Sequence, residues 1–216
     1  FDRTLNKYYQ KTIFCGLKKP HSIPMQSKYD YFFIIPAYNE KLYIEETLHA
    51  ISRQNESLLS NALVVIVINN SKDASSKIKQ NNQDTYDKII NSSYNFEFIV
   101  IDCFSNKYSL PNKSAGVGLA RKIGMDYCID FSNTSSLFCS VDADTIISSD
   151  YLNIIVKKYK KKEFAAAVVN FKHQKNYNPI INKAIIEYEN LLKEIALNIK
   201  KAGSIYGFVS MGSAII

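Results

Sequence analysis

The chain has 216 residues, 46% of them hydrophobic and 22% charged, enough for one sizeable core and too apolar for disorder to be the main state. Lys and Arg total 27 against 20 Asp and Glu, a formal charge of +7, which invites anionic partners. The excess is concentrated in Lys157–Lys162 and in Lys7, Lys11, Lys18 and Lys19. No RNA-binding or helix-turn-helix signature accompanies it, so nucleic acid is not an expected partner.

Residues 1–28 are polar, basic and without a clear period, and contain Pro20 and Pro24. They read as an N-terminal extension with one short helix around Leu5–Phe14. The pattern changes at Tyr29. Tyr31–Ile35 is a short apolar run ended by Pro36, and Ile44, Leu48 and Ile51 recur at helical spacing. Ala62–Ile68 is a second apolar, β-branched run, ended by Asn69-Asn70. A polar helical stretch runs from about Asp73 to Ile90, and Phe96–Ile101 is a third strand. A helix follows over 114–130, with Val117, Ala120, Ile123 and Tyr127 on one face. Leu137–Val141 is a fourth strand. A helix from about Asp150 to Lys161 is capped by Ser149 or Asp150, and Phe164–Phe171 is a fifth strand. A long helix over Ile180–Lys201 carries the apolar stripe Ile181, Ile185, Tyr188, Leu192, Ile195 and Ile199, and Gly203 ends it. Phe208–Ile216 reads as a last strand containing Gly212.

Strands apolar on both sides, alternating with helices, predict an α/β fold: a mainly parallel, Rossmann-like sheet with helices on both faces. Residues 29–216 form that domain. The longest apolar run, Ala62–Ile68, is far shorter than the ~20 residues a bilayer span needs. There is no secretory pattern at the start. Cys15, Cys103, Cys128 and Cys139 match no zinc spacing, and a reducing cytoplasmic setting is expected. The chain starts at Phe1 and stops inside an apolar strand, so it is expected to be processed or a piece of a longer protein.

Ligands of such sheets bind outside the carboxyl ends of the strands. Those ends read Pro36-Ala-Tyr-Asn-Glu40, Asn69-Asn-Ser-Lys-Asp73, Asp102 and Asp142-Ala-Asp144, an acidic edge in a basic protein. Asp142 and Asp144 form the chain's one D-x-D. Two carboxylates placed together repel unless a cation or donors satisfy them. Mg²⁺ and Mn²⁺ favour such oxygens and share coordination with substrate phosphates. The plainer reading is that both shape a turn by bonding backbone amides. Likewise Tyr38 could pack on the sheet edge and Glu40 could sit in a helix's first turn. Asp102 reads as a turn former. Lys113 and Arg121 read as surface charges, Gly116 and Gly118 as a weak phosphate-cradle signal, and His21, His49 and His173 as structural or exposed.

Ile34-Ile-Pro-Ala-Tyr-Asn-Glu40 resembles the opening of family 2 glycosyltransferases, whose fold is named GT-A. Gly118-Leu-Ala-Arg-Lys-Ile-Gly124 resembles that family's helix with Ala-Arg-Asn-x-Gly, with Lys122 where Asn is usual. Leu137-Phe-Cys-Ser-Val-Asp-Ala-Asp144 followed by Asp150-Tyr-Leu152 resembles its strand, D-x-D and Pro-Asp-Tyr-Leu. Met211-Gly-Ser-Ala214 resembles the strand entering the acceptor side. The resemblance covers about residues 30–216.

It implies a transferase moving sugar from a nucleotide-diphosphate-sugar donor to an acceptor hydroxyl, metal-dependent and inverting. Pro36, Ala37, Tyr38 and Glu40 would border base and ribose, with Asn69 or Asn70 near the base. Asp142 would face the ribose or diphosphate, and Asp144 would hold Mn²⁺ or Mg²⁺. The acceptor would be a saccharide or a lipid-linked one, and the Lys-rich arm would give peripheral contact with the inner face of a membrane. The family's general base lies beyond the Gly-Ser-Ala strand, so no catalytic residue is assigned. The alternative is a nucleotide-sugar binding module without turnover. A nucleotidylyltransferase would want a Gly-rich, Arg- and Lys-bearing loop after the first strand, which Pro36–Glu40 does not supply.

Overall fold

The computed structural model describes residues 8, 20–161, 166–175, 177–209 and 213–215, the last three by their backbone. The strands are β1 (Tyr29–Ala37), β2 (Ala62–Asn69), β3 (Glu97–Cys103), β4 (Ser132–Val141), β5 (Ala167–Val168) and β6 (Ser213–Ile215). The helices are α1 (Ile44–Ser52), α2 (Glu56–Leu59), α3 (Ser76–Ile90), α4 (Val117–Ile129), α5 (Tyr151–Lys160) and α6 (Pro179–Lys201). The expected N-terminal helix around Leu5–Phe14 lies, apart from Tyr8, outside the described residues.

The sheet order is β3-β2-β1-β4-β6-β5. β1 to β4 are parallel, with Ile34 opposite both Val65 and Ser140. Every residue of β2 is buried, which is why Ala62–Ile68 shows no alternation. Odd and even positions still serve different layers. Phe33, Ile35, Val64 and Ile66 pack with Ile44, Leu48 and Ile51 of α1, Ile89 of α3 and Leu152 and Ile155 of α5. Phe32, Ile34, Val65 and Val67 pack on the other face with Ala120 and Ile123 of α4. The fold is therefore an α/β sandwich with a mainly parallel sheet and helices on both faces. Each large aliphatic side chain so buried contributes roughly 1.5–3 kcal/mol.

Two contacts set the site's floor. Gly124 lets α4 lie close on the sheet: a Cβ there would stand 2.7 Å from Ile34 Cγ2 and 3.0 Å from Val67 Cγ2. The β1–β4 ladder stops at Ile34–Ser140, before Pro36, which has no N–H to donate. The Asp142–Asp144 turn follows directly on the end of β4 at Val141.

Several expected boundaries move. β4 begins at Ser132 rather than Leu137, and α4 at Val117 because Gly116 takes φ 155°. α3 begins at Ser76, capped by the Ser75 side chain on Ile78 N, rather than at Asp73. Asp150 stands at the α5 N-cap position but makes no side-chain capping bond. The short helix α2, capped by Asn55, escaped the periodicity altogether. The fifth strand is Ala167–Val168 among the described residues, and β6 runs antiparallel to both β4 and β5. Of the stripe on α6, Ile185 and Leu192 are half-buried, while Ile181, Tyr188, Ile195 and Ile199 are exposed. Residues 20–21 add to the sheet edge: Pro20 bridges to Ile101, His21 N donates to Val100 O, and Val100 N donates to His21 Nδ1, while the His21 ring stacks 5.3 Å from Phe98.

Candidate functional site

The turn carrying Asp142 and Asp144 is held from below. Thr47, on the buried face of α1, donates its hydroxyl to Ala143 O at 2.8 Å. Thr145 N donates to Asp142 O at 3.0 Å. Gln54 continues the same face: its Nε2 donates to Ser148 O at 2.7 Å and its Oε1 accepts from Leu152 N at 3.0 Å. α1 and the turn that ends it thus fasten the acidic turn and the start of α5. Thr47 and Gln54 are 0% and 5% exposed; Thr47 falls within the α1 apolar stripe, and Gln54 follows it three residues after Ile51. A polar residue in an apolar stripe is the sequence signal that could have found them.

Asp142 is half-buried and pairs with Arg121 Nη2 of α4. Arg121 is therefore part of this edge rather than a solvated surface charge. Its Nε is buried without a hydrogen-bond partner. Asp144 is exposed. Glu40 completes the carboxylates: burial first, then the charges of Asp144 and Asp142, holds its carboxyl above the usual range. Unpaired negative charge of this kind favours a cation or a protonated carboxyl.

A cleft of about 780 Å³ opens over this edge. Asp142, Asp144 and Tyr151 line it together with residues 169–174, Tyr43, Glu46 and Ile185. The volume suits a small organic ligand.

The remaining predicted residues fall in two groups. Tyr38 is 47% exposed and available to a ligand. Pro36 and Ala37 are buried in the end of β1. Asn69 and Asn70, at 2% and 1% exposure, are scaffold: Asn69 Nδ2 donates to Ala37 O at 3.1 Å, and Asn70 Nδ2 to Phe104 O at 3.1 Å. Asn82 of α3 ties both to the turn after β1, a role no sequence signal announced. Asp102 accepts from Phe104 N and Ser105 N at 3.0 and 2.9 Å, the turn role expected of it. A Cβ at Gly116 or Gly118 would meet nothing within 4 Å, so neither is required by a close approach. Lys113 is exposed.

The metal fit is a matter of donor chemistry. Among the described residues, no three His, Cys, Asp or Glu side chains are placed to hold an ion by themselves. With Asp142 engaged by Arg121, Asp144 and the uncompensated Glu40 remain. One or two carboxylates plus substrate phosphates is the coordination that Mg²⁺ and Mn²⁺ commonly accept, so the donor set fits an ion shared with a diphosphate.

The family model for glycosyl transferase family 2 matches residues 32–215, and the chain belongs to that family. No curated protein matches it. Among solved structures it is similar to S. aureus TarS 1-349 in complex with UDP-GlcNAc, at 19% identity and TM-score 0.43, covering 68% of this chain and 37% of that one. It is also similar to the mannosyltransferase PcManGT from Pyrobaculum calidifontis in complex with GDP-Man and Mn²⁺, at 15% identity and TM-score 0.44, covering 86% and 46%. The chain spans less than half the length of either. No helix among the described residues is long and apolar enough to cross a membrane.

Proposed function

We propose that this chain supplies the donor side of a glycosyltransferase. It would move sugar from a nucleotide-diphosphate-sugar to the hydroxyl of a saccharide or lipid-linked acceptor, with inversion. The observation that carries the reading is the Asp142–Asp144 turn, pinned by Thr47 at the end of β4 and opening into a 780 Å³ cleft. Family membership supports it.

Asp144 would hold Mn²⁺ or Mg²⁺ on the donor's diphosphate. Such an ion, when bound, neutralises charge growing on the leaving group. This chain's own residues do the positioning. Asp142, fixed by Arg121, faces ribose or diphosphate. Exposed Tyr38 borders the base, above the buried Pro36 and Ala37. Asn69 and Asn70 set the backbone behind them. Glu40 bears on Asp144 by its charge. The acceptor's proton must pass to a positioned base, a role that none of these residues is given. Peripheral contact with an anionic membrane through the N-terminal lysines, on the cytoplasmic side, belongs to the same reading.

Thermal shift with UDP- and GDP-sugars tests this, since a ligand of the folded state raises its apparent stability. The expected result is a shift with one nucleotide that needs Mn²⁺ or Mg²⁺ and is lost in Asp144→Ala. An equal shift without metal removes the metal role. Binding without sugar transfer to any acceptor favours a binding module.

A further inference from the structure

The cleft that the acidic turn lines also holds a histidine that the reading above does not use. His173 lines the cleft. Its side chain is tied to α6: both its backbone N and its Nδ1 lie on Glu189 Oε1, at 2.8 and 2.9 Å. Glu189 is 9% exposed, and bonding to His173 holds its carboxyl below the usual range, so it stays ionised. A carboxylate on Nδ1 fixes that nitrogen as the proton carrier and stabilises the imidazolium. Among the described residues, Nε2 has no hydrogen-bond partner.

We propose that His173, oriented by Glu189, contacts phosphate in the donor cleft. Its Nε2–H donates to a non-bridging diphosphate oxygen when the ring is protonated. The inference rests on the donor-site reading and adds a residue to it. The physical case is charge placement. A diphosphate in this cleft shares its lining with the carboxylates Asp142 and Asp144, where it would share a cation, and with the basic side chains Lys172 and His173. A neutral His173 offers Nε2 as a lone pair and repels phosphate oxygen, so the contact strengthens on acidification. The groups facing the ring are Glu189, with Lys193 3.9 Å from its second oxygen, and the rings of Phe171 and Tyr188 at 5.6 and 5.9 Å. Asp142 and Asp144 line the same cleft. Glu189 is a positioning residue and touches no ligand.

The test is calorimetric titration of Mn²⁺-pyrophosphate and of Mn²⁺ with UDP or GDP, near pH 6 and pH 8. The proteins are the wild type, His173→Gln and Glu189→Gln, each checked for an unchanged circular dichroism spectrum. Wild type is expected to bind diphosphate about tenfold more tightly than His173→Gln near pH 6, the size of one charge-assisted hydrogen bond, with the gap closing near pH 8. Glu189→Gln is expected to flatten the same pH dependence, which a merely structural tether would not do. Equal pH profiles in wild type and His173→Gln overturn this inference and leave the donor site standing. Failure of wild type to bind any diphosphate overturns both. Should His173→Gln not fold, the Glu189→Gln profile decides alone: an unchanged profile overturns the proposal.

Discussion

Asn39 takes a left-handed backbone, φ 63°, and its N–H donates to Asn82 Oδ1 at 3.0 Å. The strained residue in the turn after β1 is thereby held by a helix that follows β2. Asn82 also donates from Nδ2 to Asn69 O at 3.1 Å and to Asn70 Oδ1 at 2.9 Å. One buried amide, 1% exposed, joins two strand ends at the edge of the site. Replacing it with Leu leaves buried polar groups unpaired, at about 1–3 kcal/mol each. We expect Asn82→Leu to lose roughly 2–4 kcal/mol in urea unfolding. Asn39→Ala should cost about 1–2 kcal/mol because Ala resists the left-handed region, whereas Asn39→Gly should stay near wild type.

Gly124 and Gly118 lie on one helix and should respond oppositely to Ala. The Gly124 position has no room, since a Cβ would meet the β-branched Ile34 and Val67. Overpacking there costs about 1–3 kcal/mol, against under 1 kcal/mol gained in helix propensity. Gly118 faces open space, so Gly118→Ala should be neutral or stabilise by up to about 1 kcal/mol. Chemical denaturation of the two variants checks both signs.

Glu40 sets a pH dependence. Its folded-state carboxyl titrates above its ordinary value of 4.5 because of burial and the charges of Asp144 and Asp142. The folded protein binds more proton than the unfolded chain in that window, so stability falls as pH rises through the folded value. Its contribution is fully present below the unfolded value. Glu40→Gln is therefore expected to melt higher than wild type at pH 7 and to show no gain near pH 4. Added Mn²⁺ should narrow the gap at pH 7 if the same carboxylates share an ion. A gap that persists unchanged from pH 4 to 7 contradicts the electrostatic origin.

Thr47→Val removes the hydroxyl from Ala143 O while keeping the shape. We expect a loss of about 1–3 kcal/mol in stability. Metal-dependent nucleotide binding should weaken as the acidic turn loosens. Thermal melts with and without Mn²⁺ and nucleotide separate the two effects.

The buried cysteines should be inert. Cys103, Cys128 and Cys139 are all buried, and burial pushes the Cys139 thiol up to about 12 against a hydrogen bond from Tyr151. Thiolate is the reactive form. In Cys15→Ser protein, a chromogenic disulfide reagent at pH 8 should react only after denaturant is added. A fast-reacting thiol in native protein would be inconsistent with this packing.

Four parallel strands and the acidic turn at the end of the fourth were legible in the residues alone. Burial on both faces leaves an unbroken apolar run, and a polar turn marks where each run leaves the core. Those are local properties: Ala62–Ile68 followed by Asn69-Asn70 displays both, and Leu137–Val141, interrupted only by Ser140, leaves the core at Asp142-Ala-Asp144. Only the tertiary structure decided which distant groups meet. Placement of α3 beside the strand ends makes Asn82 a tie, though its neighbours in sequence are as polar as it is. Placement of α4 brings Arg121 to Asp142, and that of α6 brings Glu189 to His173. The antiparallel entry of β6 between β4 and β5 is equally silent in the sequence, since a three-residue strand carries no period. Periodicity records how each residue is buried along its own element. Partners twelve or more positions apart depend on how whole elements pack, and no local pattern encodes that.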